Sequence, residues 1–223
     1  MNTERSLYQR RRPPTAPELA SIPWLAVLTP EERDTMVPQI VVGDALTGDV
    51  VCRVGRAPTY WFGVIEGLLK MSIDTDRGDS LTFTGVSSGG WFGEGTALKQ
   101  EPYRYNVQAL RATTVAGLPI ASFHTLLGAS IGFNRFIMNQ LNERLGQFIA
   151  AREIDRLNNP DVRVARSLAA LFNPVLFPGV GGLLQITQQE LAYLVGLSRQ
   201  RVNVALQRLE KAAWIKVVYG GVQ

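Results

Sequence analysis

Residues 186–219 read ITQQELAYLVGLSRQRVNVALQRLEKAAWIKVVY, and this stretch decides the fold. Thr187, followed three residues on by Glu190, is a capping box, in which each side chain satisfies the other's backbone N–H at a helix start. Leu191, Ala192 and Leu194 supply the buried positions of that helix. Gly196 falls where the chain must turn, a place that favours a residue tolerant of positive φ. Ser198 caps a second helix, whose apolar stripe is Val202, Ala205, Leu206 and Leu209. Two short helices about a glycine turn make a helix-turn-helix. The following IKVVYGGVQ predicts a β-hairpin with Gly220-Gly221 at its turn, a wing beside the second helix.

The second helix carries Arg199, Gln200 and Asn203 in its first turn and a half, away from the apolar stripe. Arginine pairs bidentately with guanine O6 and N7, and Gln or Asn with adenine N6 and N7. The N-terminal end of a recognition helix is where such side chains reach base edges. Thr187, Ser198 and Arg201 are candidates for phosphate contacts, which fix register and carry little sequence information. Charge agrees with this reading. Residues 160–223 hold seven basic against three acidic side chains, whereas residues 21–159 hold 12 against 14. A basic C-terminal piece on a slightly acidic body points to double-stranded DNA as partner.

Upstream the texture changes. From about 39 to 121, short β-branched runs alternate with glycine and Asx punctuation, the pattern of a compact all-β barrel or sandwich. DTDRGD (74–79) is a hairpin turn, and Trp61, Phe62, Trp91 and Phe92 are expected in the barrel core. Thr29-Pro30 with two glutamates behind it starts a short helix. Residues 122–158 read as helix. Ile131, Met138, Leu145 and Arg152 fall seven apart, as do Asn134, Leu141, Phe148 and Asp155. That interleaving is a heptad seam for a second copy of the helix, with Ile131, Met138, Leu141, Leu145 and Phe148 as its contacts. Its rival is an ordinary face packed on the chain's own barrel. Pro160 ends the helix. The expected organisation is α+β: a disordered tail over 1–20, a β-barrel over 21–125, a dimerisation helix over 126–158, and a winged helix-turn-helix over 159–223.

The composition bounds the chemistry. One cysteine, Cys52, and one histidine, His124, exclude disulfides within the chain and four-cysteine zinc or iron–sulfur sites. No run approaches the about 18 apolar residues of a membrane span. The basic N-terminus has no apolar run behind it, so a cytoplasmic protein without a secretory signal is expected. No catalytic residue and no metal ligand is assigned. His124 at a helix start reads as a satisfied helix-terminal histidine rather than a haem ligand.

With these residues on the page, QELAYLVGLSRQRVNVALQRLE resembles the winged helix-turn-helix of the CRP/FNR family of bacterial transcription regulators. Gly55, Gly67 and Gly93, at separations of 12 and 26, resemble the glycine pattern of that family's cyclic-nucleotide-binding jelly roll. The long helix resembles its dimerisation helix. The resemblance runs from about residue 22 to the end. It implies a homodimer on a pseudopalindromic operator, an effector bound in the barrel, and RNA polymerase as a further partner.

The same resemblance gives meaning to GEGTALKQEPYRYN (93–106). In the family's phosphate-binding cassette a Gly-Glu is followed, ten residues after the Glu, by an Arg-Ser/Thr. The arginine and the backbone of a short helix cradle the cyclic phosphate, and the glutamate takes the ribose hydroxyl. Gly93, Glu94 and Arg104 occupy those positions. Tyr105 stands where a Ser or Thr is expected, and Phe148 on the long helix is placed to pack a base. Three readings stay open: cyclic AMP or cyclic GMP (cAMP or cGMP) bound in a modified pose, a retained Glu94–Arg104 ion pair in a barrel that senses something else or nothing, and a catalytic pair. An alternative to DNA binding also stays open, a regulatory module acting through protein contacts.

Overall fold

The structure is a computed structural model that describes residues 11–74, 80–155 and 159–223, the side chains of 152–155 excepted. The chain opens with a short helix α1 (Ala16–Ala20), a 3₁₀ turn (Pro23–Val27), α2 (Pro30–Met36) and a second 3₁₀ turn (Val37–Gln39). As the sequence predicts, Thr29 and Glu32 box the start of α2, with Glu32 N–H donating to Thr29 Oγ1 at 3.3 Å and Thr29 N–H to the Glu32 carboxylate at 2.9 Å. Residues 11–20 are not the disordered tail expected. Arg12 exchanges backbone hydrogen bonds with Val42 at 2.8 and 2.9 Å and pairs through its side chain with Glu18 at 2.6 Å. That arginine finds a carboxylate six residues away on a capped helix, a local partner that composition does not reveal. The rest of the expected tail, residues 1–10, lies outside the described residues, as does most of the turn at 74–79.

Eight strands follow: β1 (Val41–Ala45), β2 (Val50–Cys52), β3 (Tyr60–Glu66), β4 (Leu68–Asp74), β5 (Ser80–Ser87), β6 (Trp91–Phe92), β7 (Asn106–Ala109) and β8 (Thr113–Pro119). Helix α3 (Glu94–Lys99) sits between β6 and β7. The strands form two antiparallel sheets of order β1-β8-β3-β6 and β2-β7-β4-β5, the jelly-roll arrangement. The sheets do not close into a barrel, which corrects one detail of the expectation. Register shifts interrupt the pairing at Val50/Cys52, Val64/Glu66 and Met71/Ser72, the places where bulges locally raise strand twist.

Strand alternation then sorts the aromatics. Phe62 and Phe92 join Val64, Leu69, Met71, Val107 and Val115 in the core that includes the space between the sheets. Trp61 and Trp91 point the other way. They form an aromatic cluster under the helices with Trp24, Phe123 and Phe133, the Trp61–Trp91 ring centroids 4.4 Å apart. The expectation of a single barrel core holding all four is therefore corrected: period-2 alternation divides them between two cores.

The predicted single helix over 122–158 is two, α4 (Ile120–Ala129) and α5 (Ile131–Asp155). The break is at buried Ser130, whose extended backbone ends α4 and whose hydroxyl accepts from Phe133 N–H at 3.2 Å. Then come α6 (Pro160–Leu171), β9 (Leu184–Gln185), α7 (Gln188–Val195), α8 (Arg199–Lys211), β10 (Val217–Val218) and β11 (Gly221–Val222). The last three strands pair in the order β10-β11-β9. The wing turn is Tyr219-Gly220, one residue earlier than predicted, because Val218 pairs with Gly221.

Candidate functional site

The reading head is built as its caps dictate. Thr187 Oγ1 accepts from Glu190 N–H at 3.1 Å, and Glu190 accepts from Thr187 N–H at 2.7 Å, fixing the start of α7. Gly196 ends α7 at φ +63°, a left-handed conformation that favours glycine. Ser198 Oγ accepts from Arg201 N–H at 3.2 Å and starts α8. Val202, Ala205, Leu206 and Leu209 are all buried, against α6 residues such as Val164, Leu168 and Leu171 in one core.

With that stripe inside, Arg199 and Gln200 are exposed at the start of α8. Asn203 is half-buried, its carbonyl oxygen accepting from Gln188 Nε2 at 3.0 Å, which fixes its amide plane. Arg201 is placed differently from the phosphate contact expected of it. Its guanidinium meets Asp161 on α6 at 2.7 Å, and Arg208 meets the other oxygen of the same carboxylate at 2.7 Å. The Arg208 hydrogen bond first, and then Arg201, hold the Asp161 carboxyl below its ordinary range. Thr187 and Ser198 are exposed at two helix starts. The wing is paired as far as Gln223, which exchanges backbone hydrogen bonds with Lys216 at 2.8 and 2.9 Å.

This head is joined to α5 by a row of polar contacts. Gln140 donates to Val175 O at 2.8 Å, Asn173 donates to Glu143 at 3.0 Å, and Gln147 donates to Ala170 O at 3.1 Å. Arg111 of the jelly roll donates to Gln185 O at 2.5 Å and lies 3.6 Å from buried Glu190. The opposite side of α5 is apolar and open. Ile131, Met138, Leu145, Phe148 and Ile149 are between 54% and 71% exposed, whereas Phe133 and Ile137 are buried on the jelly-roll side. The helix therefore has two apolar faces, one packed on the chain's own jelly roll and one exposed.

The cassette around Glu94 brings together Gly93, Glu94 and Tyr105 of the predicted residues but not Arg104 or Phe148. Gly93 enters α3 at φ +83°. Glu94 is 2% exposed, and its carboxylate is met at 3.3 Å by Arg144 of α5. Arg144 also donates to Trp91 O. A Cβ at Gly93 would lie 3.5 Å from Tyr105 Oη and 3.6 Å from the Tyr103 ring, so these tyrosines pack over the glycine. Burial pushes the Tyr105 hydroxyl up to about 12, a neutral donor at all ordinary pH. Arg104 is not in the cassette. It is 81% exposed and pairs with Glu101 at 3.0 Å. Phe148 is also absent from it, standing exposed on the open face of α5. His124 Nε2 lies 3.0 Å from Ala97 O and 3.1 Å from the Gln100 amide nitrogen, and so ties α4 to α3.

Comparison with known proteins agrees with both halves of this architecture. Residues 45–130 match the family described as cyclic nucleotide-binding domain, and residues 162–223 match the Crp-like helix-turn-helix domain. The chain belongs to the CRP/FNR family. It is 29% identical over 178 residues to the cAMP-activated global transcriptional regulator CRP of Haemophilus influenzae, spanning 74% of this chain and 78% of that one. It is 29% identical over 166 residues to the transcriptional regulator SdrP of Thermus thermophilus, spanning 73% and 77%. Among solved structures, the catabolite activator protein of Thermus thermophilus superposes with TM-score 0.51 at 25% identity, over 90% of this chain and 92% of that one.

For a CRP/FNR-family regulator the notable residue is Arg144, which sequence reading missed. Glu94 and Arg104, ten positions apart, invited pairing, yet the partner of Glu94 lies 50 positions away. One signal was available. Phe133, Ile137 and Arg144 follow one another at spacings of four and seven, a single helix face that points into the chain's own jelly roll.

Proposed function

We propose that this CRP/FNR-family chain is a homodimeric, sequence-specific DNA-binding transcription regulator of the cytoplasm, acting by binding rather than by catalysis. One observation carries it: the first turn of α8 exposes Arg199 and Gln200 while the opposite stripe of the same helix is buried. Arg199 and Gln200, with Asn203 oriented by Gln188, read base edges in the major groove. Thr187 and Ser198, at two helix starts, hold phosphates. Arg201 supports the reading helix through Asp161.

The exposed apolar face of α5 pairs two copies about a dyad. Ile131, Met138, Leu145 and Phe148 form its seam, and half-buried Leu141 borders it. Two reading heads then lie one helical turn apart, about 34 Å, on a pseudopalindromic operator. The jelly roll is the input domain, on a fold whose ligand class is the cyclic nucleotide. RNA polymerase is the output partner, helped or obstructed at the operator. A gel shift of the purified protein against genomic fragments tests the reading. Retention of a few discrete fragments that survives excess random duplex supports it, and uniform or absent retention overturns it.

A further inference from the structure

The reading head rests on the jelly roll of its own chain, and glycines line the joint. A Cβ at Gly85 of β5 would lie 2.9 Å from the Leu194 side chain and 3.1 Å from that of Leu171. One at Gly90 would lie 2.6 Å from the Phe177 ring, and one at Gly89 would lie 2.7 Å from the Gly179 nitrogen. From the other side, a Cβ at Gly179 would lie 2.8 Å from the Ser88 carbonyl carbon and oxygen. Backbone therefore meets backbone, closer than a Cβ allows. The seat is itself fixed, since Gly89 N–H donates to Val64 O and Val64 N–H to Gly90 O, both at 2.8 Å. Polar contacts hold the joint in register. Thr82 of β5 donates to Tyr193 O at 3.2 Å. Arg111 donates to Gln185 O at 2.5 Å and sets its charge 3.6 Å from Glu190. Glu190 is buried and belongs to the capping box of α7, so the jelly roll grips the head at the start of that helix. Val86, Leu171, Phe177 and Leu194 share one apolar core across the joint.

We propose that this joint sets the spacing of the half-sites that the dimer accepts, with Arg111 and Gly179 as its positioning residues. The proposal rests on the DNA-reading assignment above. Two heads on pliant connections would reach half-sites at several separations. One extra base pair moves a half-site by about 3.4 Å and turns it by about 34° around the duplex axis. A head seated on the jelly roll, and tied to α5 through Gln140, Gln147 and Asn173, follows that shift only by opening the joint. Base preference within a half-site belongs instead to Arg199, Gln200 and Asn203, none of which lines the joint. Spacing and sequence are thus read by separate parts of the chain.

The test uses the full-length protein and an operator duplex obtained by selection from random DNA. Fluorescence anisotropy then compares that duplex with one lengthened by a single base pair between the half-sites. Two variants open the joint. Gly179 lies outside the left-handed region, so in Gly179→Ala the added methyl meets the Ser88 backbone and strains no turn of its own. The double substitution Arg111→Met with Glu190→Gln removes the polar grip, keeps the capping box and leaves no buried charge unpaired. Wild type is expected to enrich a single spacing. Both variants are expected to remain dimers by sedimentation and to enrich the same half-site sequence. Their preference for the wild-type spacing over the lengthened one should fall about fivefold or more, the size of an ordinary coupling between sites. Lost stability alone would lower affinity for both duplexes alike and leave that ratio unchanged. A folded, dimeric variant of either kind that keeps the wild-type ratio would overturn the proposal. So would a wild type that binds both spacings equally, an arm that stands even if the variants fail to fold. A wild type that selects no symmetric motif removes the DNA-reading premise, and the proposal falls with it at that first step.

Discussion

Arg201 of the reading helix lies 2.7 Å from Asp161 at the start of α6, and Arg208, two turns further along, shares the same carboxylate at 2.7 Å. One acid thus fixes the angle at which α8 leaves its supporting helix. The Asp161 carboxyl titrates below its ordinary 3.8 in the folded state. A depressed folded value means that its contribution is present above 3.8 and is lost as the pH falls through the lower folded value. Asp161→Asn is expected to cost about 1 kcal/mol at neutral pH, since the pair is partly exposed. The gap to wild type should close as the solution is acidified below 3.8. Urea midpoints across that range check it, and a gap that stays constant would rule out this ion cluster as its source.

The two arginines at the start of α8 should behave differently. Arg199→Ala is expected to cost about 1–3 kcal/mol on the specific site and to relax preference at one base pair. Arg201→Ala should lower thermal stability while leaving the ratio of specific to random binding nearly unchanged. Competition anisotropy with operator and scrambled duplexes separates the two effects. An unchanged ratio for the Arg199 variant would remove it from the base-reading set.

The seam on α5 makes a separate prediction. Leu145 is 58% exposed in the single chain, so Leu145→Glu costs the protomer little and places like charges against each other in a pair. Sedimentation is expected to show a monomer at concentrations where wild type is a dimer. Loss of operator affinity should accompany it, because one reading head holds only half a site. A variant that remains dimeric would move the interface off this face.

The core offers a steric test. A Cβ at Gly63 would lie 2.3 Å from the Trp91 ring, closer than a side-chain shift of a few tenths of an ångström can relieve. Trp91 packs on Trp24 and Trp61 with ring centroids 5.4 and 4.4 Å away, so it has little room to yield. Gly63→Ala is expected to destabilise by about 1–3 kcal/mol, the range of overpacked cores. A thermal midpoint equal to wild type would contradict the packing described.

What the sequence disclosed follows the reach of each signal. The Thr187–Glu190 box, the Gly196 turn and the Ser198 cap act over three or four residues, and each is found where it was read. The order β1-β8-β3-β6 is non-local, and no spacing along the chain displays it; only the resemblance supplied a jelly roll. The division of Trp61 from Phe62 was implicit in strand alternation but needed a second layer, the helices carrying Phe123 and Phe133, to give the outer face a partner. The cassette was half legible. Gly93 and Glu94 stand at its centre, but the cation opposite Glu94 comes from a helix 50 residues on, while the arginine suggested by spacing faces solvent. The partner of Arg201 was hidden for a related reason: Asp161 lies 40 residues earlier.

The central claim, that this dimer reads a specific operator through α8, is tested most directly by selecting binding sites for the full-length protein from a pool of random duplexes. The expected result is one enriched motif with twofold symmetry and half-sites about one helical turn apart, and loss of one position in each half when Arg199→Ala is used instead. A pool that stays random after repeated rounds, or a motif without symmetry, would contradict the account.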